Sequence, residues 1–210
     1  MAAPTPVRAL VHSSTLVTAG VYLLIRFRRA CHIFYFFNIL FFLGILTTLI
    51  ARTRALFEAD LKKIIALSTL RQLGIIIRAV GLNIIKFAFL HIVIHAFFKA
   101  LLFICAGKLI HLANNNQDRR VSGGFIENIP FTTLILNLAN FALCGIPFLS
   151  GFYTKDLLVE AQLIQELYLG KLIIYIFLVG LSMSYSFRLS FLIIVKKNNS
   201  LVHTNREELD

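Results

Sequence analysis

The stretch CGIPFLSGFYTKD, residues 144–156, decides how this chain folds. It sits inside a mostly apolar tract running from 130 to 167. As one helix, about 38 residues would rise roughly 57 Å, nearly twice the ~30 Å hydrocarbon thickness of a bilayer. As two separate spans, each half would be too short. Gly145, Pro147 and Gly151 interrupt the tract, because proline has no N–H to donate and glycine favours turns. The spacing therefore predicts one span made of two half-helices around an unwound stretch between about Gly145 and Tyr153. Unwound backbone at membrane depth is tolerated only where it is buried in protein or lines a hydrated cavity, and such breaks often carry transport sites.

Working outward, the 210 residues are 58% hydrophobic with a mean hydropathy of +0.81. That excludes an ordinary soluble domain. The predicted fold class is all-α, a polytopic membrane protein of about six transmembrane helices, one of them discontinuous. The spans are read at 7–24, 33–51, 61–80, 84–112, 130–167 and 170–195. RTRALFEADLKK (52–63), GLN (81–83) and ANNNQDRRVSGG (113–124) connect them, with Asp60 as the N-cap of the third. Residues 1–197 form one membrane domain and 198–210 a polar tail. MAAPTPVRALVH lacks a basic leader region and runs into an apolar span without a cleavage site, so it reads as the middle of a longer protein.

The formal charge of +11 comes from lysines and arginines that border apolar runs. They make no basic face with interleaved aromatics, which argues against a nucleic-acid partner. More of them lie on the side holding both termini, which places that side on the negative, matrix or cytoplasmic, face. Cys31, Cys105 and Cys144 share no metal-ligand spacing and read as small buried hydrophobes. With no glycine-rich nucleotide fingerprint and no cysteine cluster, the chain is expected to hold no redox cofactor.

The chemistry sits in HIVIHAFFKALL, residues 91–102. A step of four residues turns a helix about 400° and rises about 6 Å, so His91, His95 and Lys99 form one stripe about 12 Å long. Ionisable groups inside a span cost about 2.5–3.5 kcal/mol each on insertion scales and face the bundle interior. A zinc site would need a third ligand, and the next member of the stripe is a cationic lysine. A structural, hydrogen-bonded pair is an alternative reading of the histidines. A proton relay accounts for all three: histidine exchanges protons near neutral pH, and a buried lysine readily changes its proton affinity. His12, within LVHSSTLVTAG (10–20), reads equally well as a core histidine or a relay member. Lys155 and Asp156, at the broken-helix junction, read as a charge pair beside unwound backbone, or as a helix cap with a snorkelling lysine.

Four segments carry a resemblance: APTPVRALVHSSTLVTAGVYLLIRF (3–27), DLKKIIALSTLRQLG (60–74), HIVIHAFFKALLFICAG (91–107) and GIPFLSGFYTKDLLVE (145–160). Together they resemble the mitochondrial NADH-ubiquinone oxidoreductase chain 5 family, the distal antiporter-like subunits of respiratory complex I. The resemblance implies a multi-pass protein of the mitochondrial inner membrane that translocates protons along a polar axis, coupled to electron transfer from NADH to ubiquinone. It places His12, His91, His95, Lys99, Lys155 and Asp156 on that axis. NADH, FMN, iron–sulfur clusters and ubiquinone would be bound by other subunits, and the partners would be the other membrane-arm subunits, the lipid bilayer and protons. A multi-subunit cation/proton antiporter component is the alternative, and a transport-inactive membrane scaffold a third reading.

Two departures from the family stand out. Its members are far longer, so this chain is expected to be an internal segment lacking an upstream Glu–Lys pair, a second broken helix and a long lateral helix. Members also usually have serine where Arg8 and Arg71 stand, and Arg78 is odd within its apolar run. Invertebrate mitochondria read AGA and AGG as serine, AUA as methionine and UGA as tryptophan. With a fragmented gene or a deliberate truncation as the plainer alternatives, standard-code translation of such a gene would explain these arginines, the two methionines and the absence of tryptophan. It predicts AGA or AGG codons at Arg8, Arg71 and Arg78.

Overall fold

The computed structural model describes residues 11, 15–27, 34–113, 117–118, 125, 129–165, 180, 183–184 and 186–191. Its helices are α1 (Leu16–Arg26), α2 (Phe34–Phe57), α3 (Leu61–Gly81), α4 (Ile85–Leu112), α5 (Pro130–Cys144) and α6 (Ser150–Gln165). Among the described residues there is no strand beyond an isolated bridge between Asp60 and Asp118. Segment Phe36–Phe57 of α2, with α3 and α4, is long and apolar enough to cross a membrane; α1 and α5 are shorter apolar helices. The chain is thus an all-α polytopic membrane protein, with three full-length spans among the described residues. His12, Arg8, Cys31, most of the span read at 170–195 and the tail at 198–210 lie outside them.

Helix ends follow local chemistry. Asp60 occupies the N-cap position of α3, but its side chain makes no capping bond. Its carboxylate turns instead to Lys63, one turn on, at 2.6 Å, because a cation within reach outcompetes a neutral amide donor for an ionised oxygen. At the α3–α4 turn Asn83 has φ 63, a left-handed conformation that asparagine enters more easily than most residues. The amides of Asn83 and Ile84 bond back to Val80 and Ala79, both at 2.9 Å.

α2 and α3 pack almost backbone to backbone. A Cβ on Gly44 would lie 2.8 Å from both the Arg78 amide nitrogen and the Gly74 carbonyl oxygen, and one on Gly74 2.6 Å from a Thr48 methyl. Small residues that admit such approach drive helix association where lipid is already as apolar as leucine. The outward faces carry Phe42, Leu46, Phe97, Ile104, Phe131 and Leu138, all well exposed, as a lipid-facing surface requires. Two apolar clusters fill the interior. One gathers Leu61, Ile64 and Ile65 of α3 with Leu102, Phe103, Ala106 and Leu109 of α4 and Leu136, Ala139 and Leu143 of α5. The other joins Val21 of α1 and Leu40 of α2 to the far end of α3, the start of α4 and Leu158 of α6.

The break falls between these clusters. Pro130 starts α5 at the position where a missing N–H costs nothing. Gly145 ends the helix at φ 85, and its amide bonds back to Phe141 and Ala142 at 3.1 and 3.2 Å, a left-handed terminator that glycine suits. The unwound segment runs from 145 to 149, since α6 already begins at Ser150. It is shorter than the interval to Tyr153 expected from the spacing of breakers, because Gly151 is used inside α6. Phe148, 90% exposed, adopts φ 70, a conformation that costs a bulky residue energy and is found mostly where function holds the backbone. In a continued helix the Leu143 carbonyl would accept from the amide of residue 147. That residue is proline, so the carbonyl is left open at the negative end of a half-helix.

Candidate proton-transfer site

His91, His95 and Lys99 all face inward from α4, exposed by only 2%, 3% and 0%. α3 runs antiparallel to α4 and supplies a second polar stripe, Ser68 and Gln72, also four residues apart. Lys99 Nζ donates to Ser68 Oγ and, at 3.4 Å, to the Ile65 carbonyl. One α-helical turn along α3, Gln72 Oε1 lies 3.2 Å from His91 Nε2. The other nitrogen of that ring, Nδ1, lies 3.1 Å from Thr154 Oγ1 on α6. His95 stacks on His91 with ring centroids 6.3 Å apart and planes at 27°. Among the described residues, neither ring nitrogen of His95 has a hydrogen-bond partner.

The open Leu143 carbonyl collects donors from three directions. Lys155 Nζ donates to it, as do Gln72 Nε2 at 3.4 Å and Arg71 Nη2 at 3.3 Å. The unwound junction is thereby tied to both α3 and, through Gln72, to His91. Lys155 points inward rather than snorkelling. Asp156 lies on the exposed side of α6, and no ion pair within 4 Å joins it to Lys155 among the described residues. Of the sequence-predicted site, His91, His95, Lys99 and Lys155 converge, Asp156 does not, and His12 lies outside the described residues. Also among the described residues, no three His, Cys, Asp or Glu side chains come together as metal ligands would.

Sequence reasoning missed Ser68, Gln72 and Thr154. The signal for the first two was present: a polar pair at helical spacing in an apolar helix, matching the stripe it faces. Thr154 and the Leu143 carbonyl had no such signal, since one is a single hydroxyl and the other a backbone atom opened by a proline three positions after Cys144.

Comparison with known proteins fixes the lineage. Residues 1–184 match the family described as NADH:quinone oxidoreductase/Mrp antiporter, transmembrane region. The chain belongs to that family. It is 50% identical over 209 residues, 99% of its length, to NADH-ubiquinone oxidoreductase chain 5 of Lumbricus terrestris. It is 51% identical over 90% of its length to the protein of the same name from Anopheles gambiae. These matches cover 36% and 33% of the two relatives, so the chain spans about a third of their length. The fold is shared with a chain of a membrane-bound sulfane sulfur reductase, an archaeal respiratory membrane complex. That likeness has a TM-score of 0.79 at 24% identity, over 96% of this chain and 42% of the other.

Proposed function

We propose that this chain is a segment of the proton-translocating membrane-arm subunit of respiratory complex I in the mitochondrial inner membrane. Its His91–His95–Lys99 stripe and Lys155 pass protons while other subunits carry NADH, FMN, iron–sulfur clusters and ubiquinone. The observation that carries the reading is the alignment of three buried ionisable side chains on α4 with a broken helix that presents Lys155 beside them. Burying such groups is expensive, and packing alone offers no return for it. Held between Gln72 and Thr154, His91 has polar contacts at both nitrogens, whereas His95 keeps both nitrogens available to exchange protons with water or a neighbour. Lys99 ends the stripe on Ser68. In the same reading, His12 and Asp156 are further members of the relay. Relatives of about half identity named as the oxidoreductase subunit favour complex I over a cation/proton antiporter.

The test uses a full-length relative assembled in its complex, with substitutions at the positions matching this chain. His91→Ala combined with His95→Ala should lower proton pumping and coupled quinone reduction by about threefold to tenfold, with assembly intact. Water can occupy part of the space left by the rings and partly replace them in a chain. Pumping in proteoliposomes at the parent rate would contradict the relay.

A further inference from the structure

The hydrogen bonds around His91 fix how its ring is used. A carbonyl oxygen can only accept, so the bond to Leu143 identifies the nitrogen end of the Gln72 amide. The other end, Oε1, is therefore the atom facing His91 Nε2 at 3.2 Å. Oε1 is also only an acceptor, so Nε2 must carry a hydrogen in every protonation state that keeps this contact. The tautomer is assigned by the network, with Nδ1 as the nitrogen that changes.

At Nδ1 the partner is a hydroxyl, which can donate or accept. Thr154 Oγ1 lies 3.1 Å from Nδ1 and 3.4 Å from the Gly151 carbonyl oxygen, one turn back in α6. Thr154 is itself 2% exposed, so these two acceptors compete for its single hydrogen. We propose that Thr154 is a positioning residue that serves His91 in both charge states, while Gln72 holds the other nitrogen fixed. This inference rests on the proton-relay reading.

With the ring neutral, the Thr154 hydroxyl donates to Nδ1. When a proton arrives from a neighbouring relay group, it bonds to the Nδ1 lone pair. The hydroxyl then turns its hydrogen to the Gly151 carbonyl and accepts from Nδ1–H. Release reverses both movements. The donating group's N–H or O–H bond breaks as the Nδ1–H bond forms, and release passes the proton to an acceptor in the same way. The heavy atoms of His91, Gln72 and Thr154 keep their places. The buried ring is hydrogen-bonded at both nitrogens before and after transfer, so neither state leaves an orphaned polar group, whose cost is about 1–3 kcal/mol. The same rotation changes the bonding of the Gly151 carbonyl, in the first turn after the unwound segment.

The experiment compares Thr154→Val, Thr154→Ser and Lys99→Ala in the assembled full-length complex, measuring assembly and proton pumping. Valine keeps the shape and loses the hydroxyl; serine keeps the hydroxyl and loses a methyl. The expected result is normal assembly in all three. Thr154→Val should lose about threefold to fivefold in pumping, no more than removal of the ring it serves, and Thr154→Ser stay within about twofold, both smaller than the contribution of a proton-transfer group itself. If Lys99→Ala fails to pump while Thr154→Val pumps normally, the role of Thr154 is overturned and the relay stands. If valine and serine are equally impaired, the defect lies in packing and the proposal is overturned. If Lys99→Ala and Thr154→Val both pump normally, the relay falls and this inference with it.

Discussion

Replacing Lys99 by alanine in a full-length, assembled relative is expected to reduce proton pumping and coupled quinone reduction by at least about tenfold. Lys99 is fully buried, and its ammonium reaches α3 by donating to Ser68 Oγ and the Ile65 carbonyl. Lys99 is the last of the three buried ionisable side chains on the α4 stripe, so alanine removes one carrier from the row. Assembly should survive, because the substitution removes a costly buried amine and leaves two acceptors on α3. Ser68 and the Ile65 carbonyl keep bonds within their own helix: Ser68 Oγ donates to Ile65 at 2.7 Å. The check is the rate of NADH-driven acidification in proteoliposomes against the amount of intact complex. An assembled Lys99→Ala enzyme that pumps at the parent rate would remove Lys99 from the path.

The second large effect is structural. A Cβ on Gly151 would stand 1.9 Å from the Ala142 carbonyl oxygen and 2.8 Å from its carbon. Both are backbone atoms of α5 and cannot swing aside, so Gly151→Ala must push the two half-helices apart. Overpacking of this kind typically costs about 1–3 kcal/mol, and more where backbone blocks it. Separation would also draw Lys155 off the Leu143 carbonyl. The expected outcome is loss of assembled complex, seen by native electrophoresis, with little activity left. Gly145→Ala offers a contrast. Its new Cβ would meet the Lys155 side chain at 3.2 Å, which is flexible, so the main cost is the left-handed backbone, about 1 kcal/mol. That variant should assemble. Equal assembly in both would contradict the close packing of α5 on α6.

How much of this could be read beforehand depended on the kind of signal. The break was legible because Gly145, Pro147 and Gly151 act through local backbone chemistry, and because the tract was too long for one span. The α4 stripe was legible because charge in an apolar helix is conspicuous and its four-residue spacing defines a face. Its surroundings were less so. The packing of α3 on α2 depends on glycine-mediated contact and its pairing with α4 on the apolar clusters, neither of which periodicity encodes. Asp156 follows Lys155 directly, yet neighbours in a helix point about 100° apart. One therefore turns to Leu143 and the other outward. Asp60 sat at a cap position, but the nearby Lys63 claimed its carboxylate.

The central claim is that one connected path runs through the stripe and the helix break. Its most direct measurement is a double-mutant cycle on protons pumped per NADH oxidised, using His95→Ala, Lys155→Ala and the pair in an assembled full-length relative. Groups that act in series on one path give strongly non-additive losses, as residues working as a unit do. The pair should therefore pump no worse than the more severe single variant. Losses that multiply, with the pair falling to the product of the two fractions, would show independent roles and contradict a single path.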